Sequence, residues 1–297
     1  MPEKQNIVIG ALLITASEFM FASMGATVKA VTINLPHEMA VFMRNLFGLA
    51  ALSPFLLIQY KSGFPHFFKT EVLHLHFLRA VAGLSAMYCL FFAVAHLPLA
   101  EASLLKMTAP IFLPIVAFIW LKEKCGPFAM LAIPIGFFGV ILVLQPNGDF
   151  NASSMIGLLG GFLAAVAKVV VRKLGKTEPT TRTVFYFGIF GVLFSTIPLF
   201  WRWQMPTLSQ WGLLIGIGIF GTCGQLLMSR GYALAPTAAV APFTNFMVIF
   251  SSAYGFIFWG ETLDLYFLVG AMFIVLAGLF AVQADVFFTK VAANSVD

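Results

Sequence analysis

Charged residues are scarce in this chain: 10% of its 297 positions are Asp, Glu, Lys or Arg, against about 25% in water-soluble domains. A soluble surface needs polar groups to face water, so the deficit excludes cytosolic enzymes, disordered chains, collagen-like chains and nucleic-acid-binding domains. Cysteine is scarcer still. Cys89, Cys125 and Cys223 form no CxxC pair and lie in or beside apolar segments, so neither a disulfide framework nor a metal site is indicated. Also missing are the GxSxG, HExxH and P-loop signatures and any nucleotide-binding domain, which argues against a primary pump. In their place stand 60% hydrophobic residues, 34 of them Phe, and a mean hydropathy of +0.96. This is the composition of an integral membrane protein.

A helix that crosses the bilayer needs roughly 20 apolar residues. Ten stretches qualify: 7–29, 38–59, 76–95, 99–121, 128–145, 155–173, 183–201, 211–230, 237–259 and 265–284. Breakers such as Pro36, Pro65, Pro98, Pro146, Pro179, Pro206 and Pro236 mark most of the gaps. Met1 to Asn6 is short for a cleavable signal, and the first stretch exceeds a signal h-region. Lys and Arg collect on cytoplasmic loops. With a cytoplasmic N-terminus, twelve fall inside (Arg79 among them), Lys29 and Arg202 fall outside, and Arg44, Lys106 and Lys168 lie within spans. Both termini are therefore expected in the cytoplasm. The net charge of +5 belongs to those loops rather than to a nucleic-acid site.

The chain repeats itself. Shifting 95–123 by 138 positions onto 233–261 gives eight identities in 29, including Pro98/Pro236, Ile111/Ile249, Phe118/Phe256, Ile119/Ile257 and Glu123/Glu261. A proline opening and a glutamate closing both stretches are the matches least expected by chance. Two units follow, 1–147 with stretches one to five and 148–297 with stretches six to ten. An odd number per unit turns the second upside down. The expected fold is thus all-α, ten transmembrane helices as two inverted five-helix repeats, with a site near the midplane between them.

These residues resemble a known family. Stretch two opens His37-Glu38 and reaches Arg44; stretch three carries His76-Phe77-Leu78-Arg79, Gly83 and Met87-Tyr88; the next junction reads Ala95-His96-Leu97-Pro98-Leu99-Ala100-Glu101-Ala102. The second half repeats a shorter form, Ala233-Leu234-Ala235-Pro236-Thr237-Ala238-Ala239 and Gly260-Glu261. The whole is similar to the EamA-type transporters of the drug/metabolite transporter superfamily. That resemblance implies carriage of small metabolites, commonly amino acids and derivatives, through a cavity among helices one, three, four, six, eight and nine. Members similar in the His-Glu and His-x-x-Arg segments include S-adenosylmethionine carriers. Nothing in stretch seven matches Arg44, so its role is not duplicated by symmetry.

Ionisable residues inside a span mark function or a buried partner. Glu18 lies about 16 Å into stretch one, near the midplane, where a short side chain has no aqueous escape. It is the leading candidate, as proton carrier or partner of a substrate ammonium. Lys106 lies roughly 10 Å into stretch four; it faces a substrate carboxylate or Glu18, or snorkels. The repeat sets Lys106-Met107 opposite Thr244-Asn245. Lys168, four residues from Arg172, is expected to reach cytoplasmic water. Arg44 is expected to hydrogen-bond carbonyls or pair with Glu38 or Glu101. Tyr88, Gln225 and Asn245 offer hydrogen bonds, although polar glue between helices is their commoner use. Pro98 and Pro236 are structural or gating positions.

Other pattern matches fail on context. Gly216-Ile217-Gly218-Ile219-Phe220-Gly221 fits a dinucleotide pattern but lies within a span, where it and Gly212 read as helix-packing glycines. Asn151-Ala152-Ser153 is a formal glycosylation acceptor, and His66, His74 and His76 lack a fourth ligand for a metal. No cofactor and no metal are expected; the partners are a small-molecule substrate, the bilayer and, as coupling ion, protons. The expectation is a secondary carrier of a small polar or zwitterionic metabolite in the bacterial inner membrane, exporting an amino acid or derivative. The alternatives are uptake of S-adenosylmethionine or another nucleoside-bearing metabolite, an intramembrane enzyme, or a passive channel.

Overall fold

The computed structural model describes residues 7–61, 69–122, 127–144, 152–175, 177–235 and 241–294, and every regular element among them is helical. In chain order these are α1 (Ile7–Thr32), α2 (His37–Lys61), α3 (Leu73–His96), α4 (Leu99–Lys106), α5 (Ala109–Leu121) and α6 (Pro127–Leu144). The second half has α7 (Ala152–Leu174), α8 (Thr180–Thr196), α9 (Leu199–Arg202), α10 (Leu208–Leu234), α11 (Phe246–Trp259) and α12 (Leu265–Asn294). A 3-10 turn, Ala241–Asn245, leads into α11. Five segments among the described residues are long and apolar enough to cross a bilayer: Val8–Thr32, Leu73–His96, Leu99–Leu121, Ala152–Leu174 and Leu208–Gly231. Four apolar helices are shorter.

Local chemistry sets the helix ends. Proline lacks an amide proton and suits a first turn, where that proton has no partner anyway. Pro98, Pro179 and Pro198 accordingly stand immediately before α4, α8 and α9. Pro236 lies outside the described residues. Thr207 and Gln210 cap α10 reciprocally, each side chain accepting the other's backbone N–H. α5 and α11 end in left-handed residues at repeat-equivalent positions, Lys122 (φ 53°) and Gly260 (φ 65°). Glycine adopts that conformation freely, whereas Lys122 does so against a cost of about 1 kcal/mol.

Stretch four, expected as one helix, is two. Pro110 removes the amide that would bond to the Lys106 carbonyl, and the chain turns at Met107–Thr108 between α4 and α5. The Thr108 hydroxyl donates to the Leu105 carbonyl at 2.6 Å and satisfies part of the freed backbone. Stretch nine is irregular at the equivalent depth, where the 3-10 turn carries Pro242 and gives way to α11 at Asn245. Stretch seven also breaks, α8 ending at Thr196 before Pro198.

Apolar burial does little to join helices in lipid, so close backbone approach must do it. Gly221, Gly224 and Gly231 of α10 lie against Met24, Phe21 and Ile14 of α1. Gly212, expected in a packing motif, faces open space instead. The most extensive packing joins α1 with α10, α3 with α7, and α6 with α12. Exchanging the halves turns the α1–α10 contact into the α7–α3 contact. It leaves the α2–α8, α6–α12 and fourth-with-ninth-stretch contacts unchanged. Exposure follows the same exchange: Phe118 and Ile119 are 56% and 71% exposed, and their repeat partners Phe256 and Ile257 are 66% and 68% exposed.

Candidate functional site

The broken fourth stretch brings Lys106 to the last turn of α4, where a cation suits the negative end of the helix dipole. Its ammonium lies 4.6 Å from the centroid of the Phe21 ring of α1 and 3.4 Å from Met247 Sδ of α11. Glu18, one turn before Phe21, is 5% exposed. Lys106 and Lys168 both act electrostatically on Glu18, and on each other. Among the described residues none of the three forms an ion pair within 4.0 Å, and Glu18 and Lys168 have no hydrogen-bond partner there either. Lys168 is accessible at its place in α7, though it belongs electrostatically to this cluster and not only to the water at the helix end.

Two arginines extend the group. Arg44 of α2 lies against Gly221 of α10, and its Nη1 donates to Asn45 Oδ1 at 3.3 Å. The expected carboxylate partners are engaged elsewhere: Glu38 with His37 and Arg202 (3.4 and 3.5 Å), Glu101 with Ser154 (2.7 Å). No described carboxylate pairs with Arg44, because its place in α2 turns it toward α10 rather than toward the helix ends. Arg79, counted from sequence among the loop cations, sits inside α3. Its guanidinium lies over Phe187 of α8 at 4.1 Å, its Nε is buried without a hydrogen-bond partner among the described residues, and a Cβ at Gly83 would collide with it. Arg44 lies within electrostatic range of Arg79 and of Lys106. The His-x-x-Arg spacing was the one sequence signal for Arg79.

The neutral candidates divide. Tyr88 Oη is buried with no hydrogen-bond partner among the described residues, an open donor and acceptor in the bundle. Asn245 ends the 3-10 turn beside Thr244, both half-buried. Gln225 is exposed on α10.

The two bundle ends are built differently from the middle. At one end, Lys29 of α1 forms an ion pair with Glu261 and donates to the Leu97 carbonyl at 2.7 Å. It also lies over Trp259 at 5.4 Å. The other oxygen of Glu261 accepts the Leu99 amide at 2.7 Å, a carboxylate on the positive end of α4. Ser23–Tyr254 (2.8 Å) and Ser103–Ser251 (2.7 Å) tie α11 to α1 and α4 below it. Sequence reading valued Glu261 as a repeat marker but not as the partner of Lys29, 232 residues away.

At the opposite end Glu178, in the loop after α7, accepts from Arg182 (2.6 Å) and Thr70 (2.7 Å). His76 Nε2 stands 3.9 Å from it, with the ring stacked on Tyr186 at 4.6 Å. Burial alone would raise the Glu178 carboxyl. The hydrogen bonds from Thr70 and Arg182, with the nearby charges, outweigh it and hold the group below the usual carboxylate range.

Comparison with known proteins places this arrangement. The model of the EamA-like transporter family matches twice, over residues 8–145 and 152–283. The pseudopaline exporter CntI of Pseudomonas aeruginosa is 29% identical, covering 90% of this chain and 94% of its own. A riboflavin transporter of Vibrio cholerae is 26% identical over 95% and 96%. An S-adenosylmethionine uptake transporter of Rickettsia bellii is 24% identical over 82% and 83%. A solved crystal structure shares the fold, with a TM-score of 0.63 at 16% identity over 94% of this chain and 98% of that one. The chain belongs to the EamA-like transporter family and is a multi-pass membrane transporter rather than an enzyme.

Proposed function

We propose that the chain is a secondary carrier that exports a small polar or zwitterionic metabolite by alternating access across the bacterial inner membrane. Ten crossings form two inverted halves, 1–147 and 148–297, with both termini in the cytoplasm. The paired family matches, the interchange symmetry of the packing and the Lys/Arg asymmetry support that arrangement. In this frame the Lys29–Glu261 end faces outward and is closed, and the Glu178 end faces the cytoplasm.

The observation that carries the reading is the unpaired trio of Glu18, Lys106 and Lys168, contributed by helices of both halves next to two interrupted stretches. Unpaired charge in a span is costly unless it serves a substrate or a proton. Glu18 takes the substrate ammonium or exchanges it for a proton, Lys106 faces the carboxylate, and Tyr88, Thr244 and Asn245 supply hydrogen bonds. Gln225, exposed on α10, is the weakest member of the set. Names among the relatives include both an exporter and an uptake transporter, so uptake of S-adenosylmethionine is the competing reading.

A thermal-shift screen of amino acids, S-adenosylmethionine, riboflavin and nucleosides on the purified chain, followed by counterflow in proteoliposomes with the best hit, tests function. Glu18→Gln is expected to lower counterflow at least about 100-fold, the scale of losing one essential proton-transfer or charge contact, while melting within a few degrees of the parent. Wild-type flux from that variant removes Glu18 from the mechanism.

A further inference from the structure

The charge inventory of the bundle interior restricts the substrate further. Among the described residues, Lys106, Lys168, Arg44 and Arg79 each lie within electrostatic range of another of the four or of Glu18, the single carboxylate in that set. The acids nearer the ends are otherwise engaged: Glu261 by Lys29, Glu38 by His37 and Arg202, Glu178 by Arg182, and Glu101 by Ser154. A guanidinium cannot be discharged in a protein, so the two arginines keep their charge wherever they are placed. Arg44 finds only an amide oxygen and Arg79 only an aromatic face among the described residues. Lys106 finds only a thioether and a ring, and the accessible Lys168 finds nothing. Holding an excess of one sign within membrane spans is unfavourable until a counter-charge arrives.

We infer that the ligand taken by this charged cluster carries more negative than positive charge, and specifically that it is an amine bearing two or more carboxylates. One ammonium suffices for Glu18. One carboxylate engages Lys106 at the end of α4, and a second engages Lys168 across the junction of the two halves. The inference rests on the trio being the transport site and adds the charge class of what enters it. Such a site discriminates against cations like S-adenosylmethionine, because four like charges repel the ligand and only one attracts it.

A graded series tests it: glycine, aspartate and γ-carboxyglutamate share one ammonium and carry one, two and three carboxylates, with lysine and sodium chloride as controls. Thermal shift and inhibition of counterflow are read on the full chain in detergent and in proteoliposomes. Apparent affinity is expected to rise on the order of tenfold from glycine to aspartate, as for one added close charge pair, with lysine inert. Lys168→Met is expected to erase the preference for aspartate over glycine, and Lys168→Arg to restore it, which separates charge from folding. Equal response to glycine and aspartate, or a lysine response above both, overturns the inference. So does stabilisation by chloride matching that of aspartate, since the cluster would then hold only an inorganic anion. If Glu18→Gln and Lys106→Met also left counterflow of every hit unchanged, the location of the site itself would fail, not merely its charge class.

Discussion

Where α1 ends, charges are cross-linked: Lys29 holds Glu261, Glu261 holds the α4 N-terminus, and Ser154 holds Glu101. Half a helix away in the same α1, Glu18 holds nothing among the described residues, and the lysines that feel its charge hold no acid. The same residue types are thus used in two ways. Paired charges join helix ends to one another and must separate if those ends part. Unpaired charges in the middle lower the stability of the empty protein, a cost that the proposed function assigns to a ligand or a proton. The contrast divides the molecule into cross-linked helix ends and an unpaired middle, with the interrupted fourth and ninth stretches adjoining both.

The sharpest way to break this contrast is at the Lys29–Glu261 pair. Glu261→Gln removes the charge that holds Lys29 and weakens the acceptor at the α4 N-terminus. It is expected to cost about 3 kcal/mol, the scale of breaking one side of a largely buried pair. In a cysteine-free background it should also expose a cysteine placed at Ser103 to impermeant thiol reagents added on the Lys29 side. Unchanged labelling with unchanged melting would mean that the pair does not hold that end closed.

A smaller effect is expected from Tyr88 of α3. Tyr88→Phe deletes a buried hydroxyl that has no partner, so stability should hold or rise by up to about 1 kcal/mol. If the hydroxyl meets substrate, KM rises several-fold while melting does not fall. A stability loss above about 1 kcal/mol would instead mark Tyr88 as structural glue.

The smallest effect lies at the Glu178 end. Its depressed carboxyl contributes stability that is complete above the ordinary carboxylate value of about 4.3 and is lost as pH falls through the lower folded value. Melts between about pH 5 and pH 3 should therefore fall more steeply for the parent than for Glu178→Gln. Parallel pH profiles would show that Arg182 and Thr70 do not favour the ionised form.

Much of this was legible in sequence because it depends on local sums. Hydropathy over 20-residue windows reports the cost of placing a segment in lipid, whatever its neighbours, so membrane insertion was readable. The match of Pro98 with Pro236 and of Glu123 with Glu261 gave the repeat, and it predicts the left-handed ends at Lys122 and Gly260 once one of them is seen. Glu18 was legible because no local escape exists at its depth. The breaks at Met107–Thr108 and in the 3-10 turn were signalled by Pro110 and Pro242, but hydropathy averages across a proline and reads through it.

Sequence alone determined that this chain lives in a bilayer, that it is built twice from one pattern, and that Glu18 falls midway along its first apolar stretch. Tertiary structure alone decided that Lys29 meets Glu261, that no described carboxylate pairs with Arg44, that Arg79 lies within a helix rather than in a loop, and that Lys168 lies within electrostatic range of Glu18. Insertion energy adds up residue by residue along the chain. Whether a charge is paired depends on what the packing of distant helices brings within a few ångströms of it, and no window of sequence contains that.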